Sequence, residues 1–150
     1  MTLTLAARAR EAAGRLRDRL GPHQNPALDA EILARHALGW TRETWIARSR
    51  EHTPPGFDTA FDSMLARRGA GEPVAYITGT KEFWGLDFDV TPAVLVPRPE
   101  TELLVEEALK AIDALARRVA GRDIVVADVG TGSGCIAGTP AHGRPSIRGN

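Results

Sequence analysis

The residues best suited to chemistry in this 150-residue chain are Asp128-Val129-Gly130-Thr131-Gly132-Ser133-Gly134. They follow Ile124-Val125-Val126-Ala127, a short apolar run with the character of a buried parallel strand. Glycine lets the backbone turn sharply and lets a ligand approach with no Cβ in the way. At the carboxyl end of a first parallel strand, such a loop forms the floor of a nucleotide site. Spacing narrows the choice. A dinucleotide fingerprint reads Gly-x-Gly-x-x-Gly, whereas this loop reads Gly-x-Gly-x-Gly with an acid two residues before the first glycine. The Gly-Lys-Ser/Thr of a Walker loop is absent. A Gly-Ser turn between elements is the bland alternative, and the strand directly before the loop weighs against it. Cys135 reads as a small residue packing a tight helix start; no histidine or other base lies near it in sequence to make it a nucleophile. His23, His36, His52 and His142 show no ligand spacing, so no metal is assigned.

The elements that must position this loop change character along the chain. Leu5, Ala9, Ala12, Leu16 and Leu20 recur at near-helical spacing, and Gly21-Pro22 stops the run. Asn25-Pro26 restarts a helix with Asn as N-cap and Pro at its first position. Leu28, Ile32 and the Leu33/Ala37 pair are its expected buried stripe, ended by Gly39. Thr41 caps a third short helix carrying Trp45 and Ile46. After Pro54-Pro55, Phe57, Phe61, Met64 and Leu65 share a face of a fourth helix ending near Gly69-Ala70-Gly71. Helices this short need each other's faces to be stable.

Beyond Gly71, Lys81 to Val90 alternate apolar and polar residues around a glycine, the pattern of a hairpin, with Phe83 and Trp84 expected in its core. Pro92, Pro97 and Pro99 force extended backbone through Val94-Leu95-Val96. A long helix follows from Glu100, with Leu104, Ala108, Ala111/Ile112 and Leu115 expected along one side and Gly121 closing it. Acidic residues crowd its first turns and Arg117-Arg118 its last, as the helix dipole favours. Gly138 to Asn150 hold three glycines and two prolines in thirteen residues, and nothing there continues a helix or a strand.

Composition bounds the function classes. Hydrophobic residues at 43% and charged residues at 25% are those of a folded domain. Nineteen basic and nineteen acidic side chains leave a net charge of +0, which excludes a chain-wide polycation binding nucleic acid by phosphate neutralisation alone. Residues 1–70 carry a net +3 and residues 71–150 a net −3, a small asymmetry that points the front part toward an acidic partner. One cysteine excludes an internal disulfide and a Cys-based zinc cluster, and suits a reducing cytoplasm. No apolar run approaches the ~20 residues of a membrane span, and arginines interrupt the N-terminus where a signal peptide would be apolar.

The strand followed by Asp-x-Gly-x-Gly-x-Gly resembles motif I of Rossmann-like methyltransferases that bind S-adenosylmethionine. A more specific resemblance lies upstream. Glu72-Pro73-Val74-Ala75-Tyr76-Ile77-Thr78-Gly79, Glu82-Phe83-Trp84-Gly85 and Leu95-Val96-Pro97-Arg98-Pro99-Glu100-Thr101-Glu102 occur in order ahead of the glycine loop. Together they resemble the HemK/PrmC family, the glutamine N5-methyltransferases of peptide-chain release factors, over about residues 1–137. The resemblance implies an α + α/β chain. A helical substrate-docking bundle spans 1–71, a hairpin linker 72–97, and the start of a Rossmann-like class I methyltransferase domain 98–137. A disordered tail outside the family occupies 138–150. It implies a cytoplasmic monomer that takes S-adenosylmethionine as cofactor, release factors as partners, and neither nucleic acid nor membrane. The methyl group would go to the side-chain amide of the glutamine in a Gly-Gly-Gln loop, with the enzyme mainly positioning a poor nucleophile. Asp128, Gly130, Thr131, Gly132, Ser133 and Gly134 match the cofactor loop. Arg98 and Glu100 lie in the segment that runs beside the cofactor pocket, where a helix-start salt bridge is the alternative to cofactor or substrate contact.

After Ala137 the resemblance stops. The second strand with its ribose-binding acid and the Asn-Pro-Pro-Tyr motif that binds the substrate amide are not in this sequence, so no catalytic residue is assigned. The end reads like out-of-frame translation or a truncated gene model, and the chain is expected not to catalyse alone. Two other readings compete: a non-catalytic helical module that docks a release factor, and a methyltransferase for another amide or amino nitrogen such as a nucleic-acid adenine. The near-neutral charge argues against a nucleic-acid substrate.

Overall fold

A computed structural model describes residues 3–21, 24–119, 124–142 and 147–149. The chain divides into two compact units, Met1–Thr78 and Gly79–Asn150.

The first unit is helical: α1 (Leu5–Arg17), α2 (Pro26–Leu38), α3 (Arg42–Arg48), α4 (Phe57–Gly69) and α5 (Val74–Thr78). The caps follow the sequence. Asn25 accepts from the Leu28 amide with Pro26 behind it, Thr41 accepts from the Thr44 amide, and Gly39 closes α2 at φ 62°. The start of α1 is tied to the α3–α4 connection. Leu5 and Ala6 amides, which have no partner within their own helix, donate to the Glu51 and Ser49 carbonyls at 2.9 and 2.7 Å. Leu5, Ala12 and Leu16 from α1 meet Ala30, Leu33 and Ala34 from α2, and Phe57 and Phe61 from α4, in one core. Small residues on α1 and α2 let the two helices approach closely, and the stacked Phe57 and Phe61 rings, 5.0 Å apart, fill the remaining width.

Two arginines are buried in this unit, each on carboxylates. Arg68 donates to Asp29 at 2.7 Å, to the Gln24 side chain at 2.6 Å and to the Glu72 carbonyl at 3.1 Å, joining α2, α4 and the segment before α5. Arg8 on α1 bonds Asp58 and Asp62 on α4 and lies 5.3 Å from the centre of the Phe61 ring. Burial acts to lower its pKa, but the hydrogen bonds to Asp62 and Asp58 outweigh this and raise it, so Arg8 stays a cation.

Two sequence expectations for this unit are corrected. Leu28 is 47% and Ile46 73% exposed, because α2 turns Ala30, Leu33 and Ala34 inward and α3 turns Trp45 inward. Val74–Thr78, too short for a periodic signal, form α5, and Ile77 joins the helical core, so this unit runs to Thr78. Gly14 lies inside α1, and a Cβ there meets nothing within 4 Å. Gly14→Ala is therefore expected to stabilise the chain by ~0.5–1 kcal/mol, through the helix propensity of alanine and the lower freedom of the unfolded chain. A rise in the urea unfolding midpoint measures this, and a fall contradicts it.

The second unit opens with an antiparallel hairpin, β1 (Thr80–Phe83) and β2 (Leu86–Asp89), registered Thr80 to Asp89 and Phe83 to Leu86. Trp84 and Gly85 form its two-residue turn at φ 57° and 73°. Two positive φ values in a two-residue loop match the twist of the flanking strands. Thr80, Glu82, Asp87 and Asp89 face solvent, while Phe83 packs with Val105 and Cys135, flanked by Phe88, Leu109 and Ile136. Trp84, at a turn position, is 37% exposed and does not belong to that cluster.

Pro97 is buried, and a 3-10 turn at Pro99–Thr101 leads into α6 (Glu102–Val119). The buried stripe of α6 is Val105, Leu109 and Ile112. Leu104 and Leu115, expected inside, are 54% and 43% exposed. The stripe is rotated by one residue, about 100° around the axis, because the hairpin and α7 meet α6 through Val105 and Leu109. Gly121 lies outside the described residues. β3 (Ile124–Val126) runs parallel to β4 (Ile147–Gly149), with α7 (Cys135–Ala141) in the connection. Ile124 is buried while Val125 is 70% exposed, so β3 alternates rather than burying both faces. Gly138–Ala141, where composition shows no helix, complete α7. Pro140 sits in its last turn, and the Thr139 hydroxyl donates to the Cys135 carbonyl at 2.7 Å.

Candidate functional site

The glycine loop joins the end of β3 to the start of α7. Gly130, Gly132 and Gly134 take φ of 82°, 55° and 79°, and the residues between them do not. A valine or alanine would be strained at each of these positions. Alternation of left-handed and ordinary backbone is the pattern that gathers successive N–H groups into an anion- or dipole-binding concavity. A Cβ at Gly130 or Gly134 would meet nothing within 4 Å, so the space beside the loop is open. The turn is held from within. Thr131 Oγ1 donates to Asp128 Oδ2 at 3.0 Å, and the Gly134 amide donates to the Thr131 carbonyl at 2.9 Å. The Thr131 bond occupies one lone pair of one carboxylate oxygen, and the other oxygen remains an acceptor for a ligand's polar hydrogens.

The loop is anchored through the residue after it. Cys135 is 6% exposed in the cluster with Phe83 and Val105, which fixes the first turn of α7 against the hairpin and α6. Gly138 completes this packing: a Cβ there would lie 3.3 Å from Phe88 Cε1. The structure thus brings Asp128 and Gly130 to Gly134 together in one turn. Arg98 and Glu100 are placed apart from that turn in bonding terms. Both are exposed, and among the described residues neither forms an ion pair or a hydrogen bond to the loop. The Arg98 carbonyl accepts from the Thr101 amide at 3.0 Å, so its main chain starts the 3-10 turn while its guanidinium is left to solvent. The salt-bridge alternative for this pair is not formed.

Two carboxylates to which the sequence assigns no separate role organise the neighbouring hairpin. Glu82 accepts from the Gly85 amide at 2.7 Å, and Glu102, at the start of α6, accepts from the Trp84 amide at 3.2 Å. The spacing of Glu82 and Gly85 is a usable signal for the first. Nothing local in the sequence signals the second, whose partner is 18 residues away. Among the described residues, no group of three or more His, Cys, Asp or Glu is placed to hold a metal ion, and no helix is long and apolar enough to cross a membrane.

Comparison with known proteins settles part of the identity. Residues 10–79 match the PrmC N-terminal domain. Over 122 residues, 81% of its length, the chain is 52% identical to a release factor glutamine methyltransferase of Burkholderia pseudomallei, of which it covers 41%. It is 45% identical over 130 residues to the release factor glutamine methyltransferase of Bordetella pertussis, covering 46% of that protein. Against that of Escherichia coli it is 40% identical over 122 residues, covering 42%. That PrmC domain ends one residue past Thr78, where the helical unit ends, so α5 is part of it. The chain spans less than half the length of these three curated relatives.

Proposed function

We propose that this chain is the docking and donor-loop portion of a release factor glutamine methyltransferase. The helical unit engages a peptide-chain release factor. The second unit opens a Rossmann-like methyltransferase domain, in which β3, the glycine loop, α7 and the parallel β4 are its first strand–helix–strand passage. The observation that carries the reading is the loop itself: a strand running into Asp128-Val129-Gly130-Thr131-Gly132-Ser133-Gly134 with all three glycines left-handed, in a chain whose residues 10–79 match the PrmC N-terminal domain.

These residues fit S-adenosylmethionine. Gly130, Gly132 and Gly134 would let its methionine and ribose portions lie against bare backbone, and Asp128 would orient polar hydrogens at the methionine end. When bound, the sulfonium supplies the electrophilic methyl group. The protein's part is to hold that methyl in line with the side-chain amide nitrogen of the glutamine in a Gly-Gly-Gln loop. Arg98 and Glu100, exposed and unpaired with each other, are the proposed side chains at the mouth of the pocket.

A second reading, a non-catalytic module that docks a release factor, draws on a different observation. Val129 is 97% exposed, Thr131 is exposed and Val125 on β3 is 70% exposed, so among the described residues this side of the loop and strand is uncovered. The 150-residue chain is accordingly expected not to methylate by itself. The discriminating experiment places the 122 aligned residues of this chain in the Burkholderia pseudomallei relative, in exchange for their counterparts, and supplies isotopically labelled S-adenosylmethionine with a release factor. The enzyme reading predicts label on the wild-type factor and none on a Gly-Gly-Gln factor whose glutamine is replaced by alanine. A folded, donor-binding exchange protein that leaves the factor unlabelled contradicts it.

A further inference from the structure

A cleft of about 520 Å³ lies beside α1 in the helical unit, between α1, α2 and α3. Its volume is that of a pocket able to seat a few apolar side chains. Ala9 and Ala13 of α1, 7% and 5% exposed, form its floor, and Trp45 of α3 forms a wall. Two cations rim it. Arg10 and Arg17, seven residues apart on α1, are exposed, and among the described residues neither is in an ion pair. Seven residues along one helix set them about 10 Å apart on the same face. The one acid on the rim, Glu31, is engaged by Arg35 at 3.7 Å, so the free charge around this cleft is positive.

Three other arginines of the unit are engaged. Arg8 is held by Asp58 and Asp62 and Arg68 by Asp29, and Arg48 lies over the Trp40 ring while bonding Glu51. An apolar floor with an aromatic wall and two unneutralised guanidiniums is the arrangement of an interface anchor site: a dry centre that gives affinity and a charged rim that selects the partner.

Building on the docking role proposed above, we infer that this cleft is the release-factor contact of the helical unit. Its occupant is a segment of the release factor that seats apolar side chains over Ala9 and Ala13 and carries carboxylates matched to Arg10 and Arg17. Guanidinium–carboxylate pairing at the rim fixes the register of the segment and speeds its arrival.

Calorimetric titration of a purified release factor into the 150-residue chain tests this, with two variants that leave the buried core alone. Arg10→Glu with Arg17→Glu reverses the rim. Gly14→Phe puts a ring on the cleft lining from a position where an added Cβ meets nothing within 4 Å. Each is expected to weaken binding at least tenfold while leaving the thermal midpoint of the chain no lower, and raised salt should weaken the unaltered chain more than the charge-reversed one. Folded variants that bind as the unaltered chain does overturn the cleft assignment and leave the docking role intact. Failure of the unaltered chain to bind overturns the docking role and the cleft with it. Self-association of the chain abolished by Gly14→Phe would give the cleft to a second copy and overturn the inference.

Discussion

Gly130→Val is expected to weaken binding of S-adenosylmethionine by at least tenfold. Gly130 has φ of 82°, and left-handed backbone costs a residue with a Cβ ~1–2 kcal/mol, more when it is β-branched. The loop can relieve that strain by leaving its bent form, which dismantles the concavity, or bear it with a side chain standing in the space the donor needs. A tenfold loss corresponds to about 1.4 kcal/mol, so strain alone nearly suffices and occlusion adds to it. Gly130→Asn separates the two effects, since asparagine tolerates this backbone region but still projects a side chain. Its loss should lie between glycine and valine. Calorimetry with the three proteins measures the series, and a valine variant binding within threefold of the parent contradicts it.

Arg68→Met is expected to cost ~3–5 kcal/mol of stability, much of what a small helical domain possesses. Arg68 and Asp29 are 7% and 14% exposed, and removing the cation leaves a carboxylate with little water and no counter-charge. The loss reaches further than one pair, because the same guanidinium holds the Gln24 side chain and the Glu72 carbonyl. A double variant, Arg68→Met with Asp29→Leu, should recover a large part of the loss, as buried pairs exchanged for apolar residues commonly do. Urea unfolding of the single and double variants measures both. A single variant that loses less than about 1 kcal/mol would show that water, not Arg68, satisfies Asp29.

Much of the helical unit was legible because its signals are local. The run from Leu5 to Leu16, the Asn25-Pro26 start, the Gly39 stop and the Thr41 cap each rest on residues within one or two turns. The hairpin was legible for the same reason, although its turn residue Trp84 carries a backbone conformation usually left to glycine or asparagine. Periodicity was weaker at saying which side of a helix is covered. Leu28, Ile46, Leu104 and Leu115 are apolar and regularly spaced, yet they face out, because the covering elements stand on the neighbouring stripe. Glycine and proline give the end of α7 the composition of an irregular segment. What completes it, the Thr139 hydroxyl returning to Cys135 and the packing of Gly138 on Phe88, is invisible to composition. For the candidate site, the glycine pattern carried the loop geometry, since three left-handed turns demand three glycines. The place of Arg98 and Glu100 relative to that loop depends on how the chain returns after α6, which no local pattern encodes.

The central claim is that the turn after β3 receives S-adenosylmethionine. Its most direct test is a nitrogen-15 amide titration of the 150-residue chain with that donor. The account predicts saturable shifts concentrated on the amides of Gly130, Thr131, Gly132, Ser133 and Gly134, and their disappearance in Gly130→Val. An unchanged loop at millimolar donor, or shifts confined to the helical unit, would contradict it.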